Sequence, residues 1–252
     1  MRKFVLCLIC LPLAALLPLS ALAEEVRGFD TPEACAQAIF DALKTQDLEL
    51  MESCVAFDEM ASSFDYQAQA ERMQAAMGIS SFLPATDTFS CEFNASLLRR
   101  NWYLRVSSLI LYAADPTLAG LLFDGRVYAA KSGEYAKIME AVDTLDTDNV
   151  LWNVEYLGTV APQDLPSIAD IYMSDKNQQT MKSIMSVWGV EIFTELALKL
   201  RWTGGPAGAD GTDYLIPIRF VQIGGRWLAD PNPSVLAAIL GLNAANFALP
   251  MP

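Results

Sequence analysis

Residues 192–202 read IFTELALKLRW, and this stretch decides the fold. Ile192, Thr194, Leu196, Leu198, Leu200 and Trp202 alternate with Phe193, Glu195, Ala197, Lys199 and Arg201. A period of two puts successive side chains on opposite faces of a β-strand, so one face here is apolar. After the turn-rich stretch GGPAGADGTD (204–213), Tyr214, Ile216, Ile218 and Phe220 begin the inward face of a further strand. Gly224-Gly225 is a two-residue hairpin signal, and the chain returns through Arg226-Trp227-Leu228. Asp230-Pro231-Asn232-Pro233 stops the sheet, and Ser234 to Leu240 is expected as a last short helix. Upstream, Val150, Trp152, Val154 and Tyr156 alternate with Leu151, Asn153, Glu155 and Leu157 and predict another strand.

Working outward toward the N-terminus, the period changes to that of helices. Thr31-Pro32-Glu33 opens one, with Thr31 as cap, Pro32 at the first position and an acid in the first turn. Cys35, Ala38, Ile39, Ala42 and Leu43 form its apolar face. Asp47 caps a second helix through about Phe57, and a third runs from about Tyr66 to Met77 before Gly78. Ile79 to Cys91 reads as loop, Asn94 to Ala114 as mostly helix, and Ser132 caps a helix carrying Tyr135, Ile138, Met139 and Val142. Met181, Ile184, Met185 and Trp188 mark one more helix between the strands. Helices first and an antiparallel sheet last predict an α+β fold, N-terminal helices packed on a curved, mainly antiparallel C-terminal sheet. Residues 24–252 are expected to form a single domain, with about 58–149 a candidate helical insertion.

The first residues are MRKFVLCLICLPLAALLPLSALAEE. A basic start (Arg2, Lys3), an uncharged run from Phe4 to Leu22 and the small-x-small site Ala21-Leu22-Ala23 predict a secretory signal peptide over residues 1–23. An uncleaved anchor fits less well, because Pro12 and Pro18 interrupt a run that is already near the ~20 residues a span needs. Bulky Ile9 before Cys10 also speaks against a lipoprotein signal. The expected location is therefore secreted or periplasmic, in a bacterium, with no membrane span after cleavage.

The full chain has 17 basic and 30 acidic residues, a net charge of −13, and loss of Arg2 and Lys3 with the leader makes it −15. Such acidity disfavours nucleic acid, whose phosphates need basic contacts, and anionic lipid surfaces. The chain has no histidine. That removes His-dependent acid–base catalysis, Ser-His-Asp and Cys-His arrangements and imidazole zinc sites. Cys35, Cys54 and Cys91 remain after cleavage. They allow either one disulfide with a thiol left over or three buried thiols. If a bond forms, Cys35–Cys54 is the expected pair, since short connections keep successive helices adjacent.

The segment DTPEACAQAIFDALKTQDLELMES at the N-terminus resembles the first helices of NTF2-like (cystatin-like superfold) domains. The segment DYLIPIRFVQIGGRWLADPN near the C-terminus is similar to their closing hairpin, and the likeness covers about residues 31–57 and 190–232. The middle, about 58–149, departs by adding helices where strands would stand. The resemblance implies a curved sheet wrapped around a helix and leaving a cone-shaped pocket. Members range from small enzymes to binding modules, so fold alone does not choose a function.

In such a pocket the aromatic or polar-tipped inward residues are Trp152, Tyr156, Trp202 and Tyr214, the candidate ligand-binding set; ordinary core packing is the competing reading. Asp143, Asp146 and Asp148 fail the calcium-loop spacing, because Val150 and Leu151 occupy the next required positions. Asn94-Ala95-Ser96 is a chance glycosylation sequon. No catalytic residue, metal or cofactor is expected. The function expected is a non-catalytic binding or interaction module for an unknown small molecule or envelope protein. The alternative is a His-free pocket enzyme, isomerase- or hydrolase-like, using a carboxylate and a Tyr; the inward faces of the three traced strands hold no such acid.

Overall fold

The computed structural model describes residues 27–74, 81–115, 129–144, 154–166, 168–203, 213–242 and 249–250. The expected leader (1–23), Trp152, Asp146 and Asp148 lie outside the described residues. The chain is α+β, with helices packed on a curled antiparallel sheet.

Helix α1 (Pro32–Thr45) begins where Thr31 Oγ accepts from the Ala34 N–H at 3.1 Å and ends at Gln46 in the left-handed region. Asp47 caps α2 (Leu48–Cys54), accepting from the Leu50 N–H at 2.9 Å. This helix was expected to reach Phe57 but stops at Val55. There the backbone is extended and lies parallel to Ala229, and the Ala56 N–H donates to the Ala229 carbonyl at 2.9 Å. Docking to the sheet overrides helical continuation at this β-branched residue. A separate helix α3 (Phe57–Ser63) follows. Helix α4 (Tyr66–Met73) ends short of the expected Met77, at Gln74 with φ of 53°.

Helix α5 (Thr88–Ala114) starts inside the stretch expected to be loop, because Asp87 and Ser90 form a reciprocal capping box. Its 27 residues extend about 40 Å at 1.5 Å per residue. Ala95, Leu98, Trp102 and Leu109 lie in its buried face and join the same core as α1 and α3. Asn94, fully buried, holds the preceding segment by accepting from the Leu83 N–H and donating to the Leu83 carbonyl, each at 2.9 Å. Ser132 caps α6 (Gly133–Asp143) as expected.

The sheet runs β1 (Val154–Val160), β2 (Phe193–Trp202), β3 (Asp213–Ile223) and β4 (Arg226–Ala229), each antiparallel to its neighbour. A short β5 (Leu249–Pro250) also pairs with β3. Residues 150–153, expected in the first strand, lie outside the described residues. The outer edge of β4 does not stay open: Phe29 exchanges backbone hydrogen bonds with Trp227 at 3.0 and 2.8 Å. Gly28 permits this approach at φ of 110°, where a Cβ would come within 3.0 Å of Trp227 O.

Leu196, Leu198, Leu200 and Trp202 of β2 and Tyr214, Ile216, Ile218 and Phe220 of β3 face the N-terminal helices and build the main core. The opposite face is covered as well. Between β1 and β2 come a 3-10 turn (Pro162–Asp164), α7 (Ala169–Met173) and α8 (Asp175–Ser186), and after β4 comes α9 (Val235–Ile239). Leu165, Ile168, Tyr172, Met181 and Leu236 from these segments pack on Ala197 and Leu215. The sheet is thus the middle of three layers.

Candidate functional site

A cleft of about 450 Å³ opens between the α1–α2 corner and α5. Ala42, Leu43, Leu48 and Met51 form one wall, and Tyr103, Val106 and Ile110 of α5 form the other. Among the described residues Asp47 is the one charged residue lining it, and its carboxylate is occupied as the cap of α2. Leu48 projects largely exposed at the rim. Such a volume falls in the range of about 300–1,000 Å³ typical of small-molecule sites.

Behind this cleft, toward the sheet, lies a smaller cavity of about 30 Å³. It shares Leu43, Met51 and Val106 with the cleft and is floored by Leu198, Ile216 and Ile218. Trp102 and Arg105, one helical turn apart on α5, complete its lining. The Arg105 guanidinium stacks on the Trp102 ring at 4.9 Å. It donates to the carbonyls of Pro231 and Asn232, gripping the loop that follows β4. Burial lowers its pKa to about 10, an effect opposed by Asp230. Among the described residues, Trp102 Nε1 and Arg105 Nε are buried donors without a hydrogen-bond partner. An orphaned buried donor costs about 1–3 kcal/mol, and Trp202 Nε1 and Arg219 Nη1 are buried in the same way.

The α5 wall is held by a polar clamp. Tyr103 donates to Glu52 Oε1 at 2.8 Å, and Arg99 bridges Glu52 at 3.1 Å and Asp58 at 2.9 Å. Burial, reinforced by the hydrogen bond to Glu52, raises the Tyr103 pKa. One network therefore ties α2 and α3 to α5.

A buried ionic cluster occupies the opposite face of the sheet. Glu195 and Arg219 are cross-strand neighbours, each 1% exposed, and Arg219 Nε bonds Asp230 Oδ2 at 2.5 Å. Glu195 accepts from the N–H groups of Val235 and Leu236, each at 2.7 Å, and lies near Tyr172, whose pKa is raised by burial and by the Glu195 charge. Burial raises the Glu195 pKa; Arg219 and the two N–H donors oppose that rise. A carboxylate–tyrosine pair therefore exists, but α7 and α9 seal it away from the cleft.

Of the aromatic residues proposed from sequence, Trp202 and Tyr214 meet edge to face at 4.9 Å within the core. Tyr156 stacks on Phe40 of α1 at 5.3 Å, with its pKa raised by burial to about 12. These three do not line the cleft or the inner cavity. The α5 residues that do line them carried one sequence signal: Arg105 is a lone charge between Trp102 and Leu109 on an apolar helical face. Cys35 and Cys54 do come together, both fully buried as free thiols. The Cys35 thiol donates to the Cys54 carbonyl at 3.4 Å. Burial pushes Cys35 up, and the hydrogen bond from Cys35 pulls Cys54 down. Among the described residues no group of acids and cysteines is arranged to hold a metal ion, and no helix is long and apolar enough to cross a membrane. Set against known protein families, curated proteins and solved structures, the chain matches none.

Proposed function

We propose that this chain is a non-catalytic binding module, delivered outside the cytoplasm by removal of residues 1–23, that holds an apolar small molecule between α1–α2 and α5. The observation that carries the reading is the cleft itself: about 450 Å³, walled by Leu43, Met51, Val106 and Ile110, and continuous in lining with a cavity on the sheet. Apolar walls with few polar groups are what a greasy ligand requires.

The enzyme reading has one observation in its favour, the raised pKa of Glu195 beside Tyr172. Both Glu195 oxygens are already engaged by backbone donors of α9, and the pair lies across the sheet from the cleft. Binding without turnover is therefore the better supported function. Saturable displacement of a polarity-sensitive dye by medium-chain apolar compounds tests it. The expected result is binding by the wild-type chain and its loss in V106W and I110W, which fill the cleft. Failure of every apolar compound to displace the dye would overturn the proposal.

A further inference from the structure

We propose that the outward face of α5 pairs with the same face of a second copy of this chain, the two helices lying antiparallel about a two-fold axis between Ser96 and Leu97. The side of α5 that meets the core is apolar, as a packed helix requires, but the side turned away from the core is rich in apolar residues too. Phe89, Phe93 and Leu104 are 71%, 39% and 49% exposed, and exposed Ser96 and Arg100 stand between them on the same face. The Phe89 and Phe93 rings stack at 6.4 Å and form one apolar ridge. A helix apolar on all sides is ordinarily covered on all sides.

The order of residues along this face identifies the cover. Antiparallel pairing about Ser96-Leu97 sets Phe89 opposite Leu104 of the second copy, Phe93 opposite Arg100 and Ser96 opposite Leu97, each contact occurring twice by symmetry. Apolar meets apolar at both ends, small Ser96 leaves room at the crossing, and the Arg100 guanidinium gains the face of the Phe93 ring. Glu92, one position before Phe93, comes within reach of the same guanidinium. Glu92 and Arg100 are both exposed, and among the described residues neither forms an ion pair within its own chain. Parallel pairing in register would instead set Arg100 against Arg100. A lipid surface fits less well, since Glu92 borders the face and a net charge of −13 repels anionic headgroups. The two Phe rings leave roughly 200 Å² in water, against about 800 Å² per partner in a standard interface, so the dimer is transient, with a Kd on the order of 10 μM. The α5 wall of the cleft, Tyr103, Val106 and Ile110, lies on a different side of the helix, so self-association and cleft binding succeed or fail separately.

The test is sedimentation equilibrium of the full chain at concentrations either side of that Kd, in about 0.15 M salt, where repulsion between the acidic chains is screened beyond about 8 Å. The mass should rise from monomer to dimer. F89D should raise the Kd at least about tenfold, as loss of a central aromatic contact does, with the melting temperature of the dilute monomer unchanged. R100E should weaken the dimer about tenfold, because the axis doubles each lost pair, and E92R/R100E should restore it. A monomer at every concentration would overturn the inference. So would a dimer that F89D leaves intact, which would place the interface elsewhere, or a double variant no tighter than R100E, which would refute the register. Flotation of the monomer with phosphatidylcholine vesicles, lost in F89D, would assign the face to lipid and overturn the inference as well. Should F89D not fold, the concentration series of the wild type and the charge variants decide alone.

Discussion

Glu195 on β2 and Arg219 on β3 face each other directly across the sheet, with Glu195 Oε1 3.7 Å from Arg219 Nη1 and neither residue reaching solvent. That separation is an ion pair without a direct hydrogen bond. Glu195 instead directs both oxygens at the first N–H groups of α9. One carboxylate thus fastens the C-terminal helix to the sheet and offsets a buried guanidinium. Removing it should be severe. E195A would strip the caps from α9 and leave Arg219 with Asp230 alone, and breaking a buried pair this way costs about 3–5 kcal/mol. Urea denaturation of E195A should show an unfolding free energy lower by that amount, and a melting temperature lower by on the order of 10 °C. A loss within experimental error would show that α9 is not held through Glu195.

The same carboxylate predicts a pH dependence. Its folded-state pKa is raised above the ordinary 4.5 by burial, with Arg219, Tyr172 and Asp230 as its charged or titratable neighbours. The folded state therefore binds a proton that the unfolded chain releases from about pH 4.5 upward. The contribution of Glu195 is largest below that pH and is lost as pH rises toward the folded pKa. E195Q cannot titrate there. The stability difference, wild type minus E195Q, should fall as pH rises through this window; a flat or rising difference in matched melts would contradict the assignment.

The architecture was legible where pattern and burial coincide. The alternation of Leu196, Leu198, Leu200 and Trp202 marks the face that meets the helices, and Thr31, Asp47 and Ser132 mark real helix starts. What stayed hidden depends on contacts distant in sequence. Glu195 sits on the polar side of an alternating strand, a pattern that ordinarily faces water. Only the return of Tyr172 and Leu236 over that side buries it. Val55 likewise leaves the helix because Ala229, far along the chain, offers a strand to dock on. The cleft residues were hidden for a different reason. Trp102, Val106 and Leu109 carry the same spacing as any buried helix face, and periodicity cannot distinguish a packed face from one lining a void.

Asn94 supplies a test of the loop before α5. The residue begins an Asn-Ala-Ser sequon, yet its side chain is fully buried and its amide is used on both the N–H and the carbonyl of Leu83. N94A would leave both Leu83 groups unpartnered in a part-buried setting. The cost should be about 2 kcal/mol, read as a shift of the denaturation midpoint with an unchanged slope. N94D keeps the acceptor but loses the donor and should recover part of the stability. Equal stability of N94A and the wild type would mean that the loop is not anchored through this amide.

Cys35 and Cys54 give the last prediction. They lie on adjacent helices, the Cys35 thiol donating to the Cys54 carbonyl at 3.4 Å, while Cys91 stands apart on α5. In an oxidising compartment, exchange with an oxidised dithiol protein would join them: the two thiols give up two electrons and two protons, and the oxidant's disulfide becomes two thiols. The closed loop of about 20 residues should add about 3 kcal/mol by restricting the unfolded chain. Because both thiols are buried in the folded state, oxidation should occur during folding and not after it. Protein recovered from the oxidising compartment, denatured without reductant and treated with maleimide, should then label at Cys91 alone, whereas reduced protein should label at Cys35, Cys54 and Cys91. C35S should remove the stability difference between oxidised and reduced samples. Three labelled cysteines in the unreduced protein would show that the pair is a packed couple of thiols, stabilised by burial as small apolar side chains are.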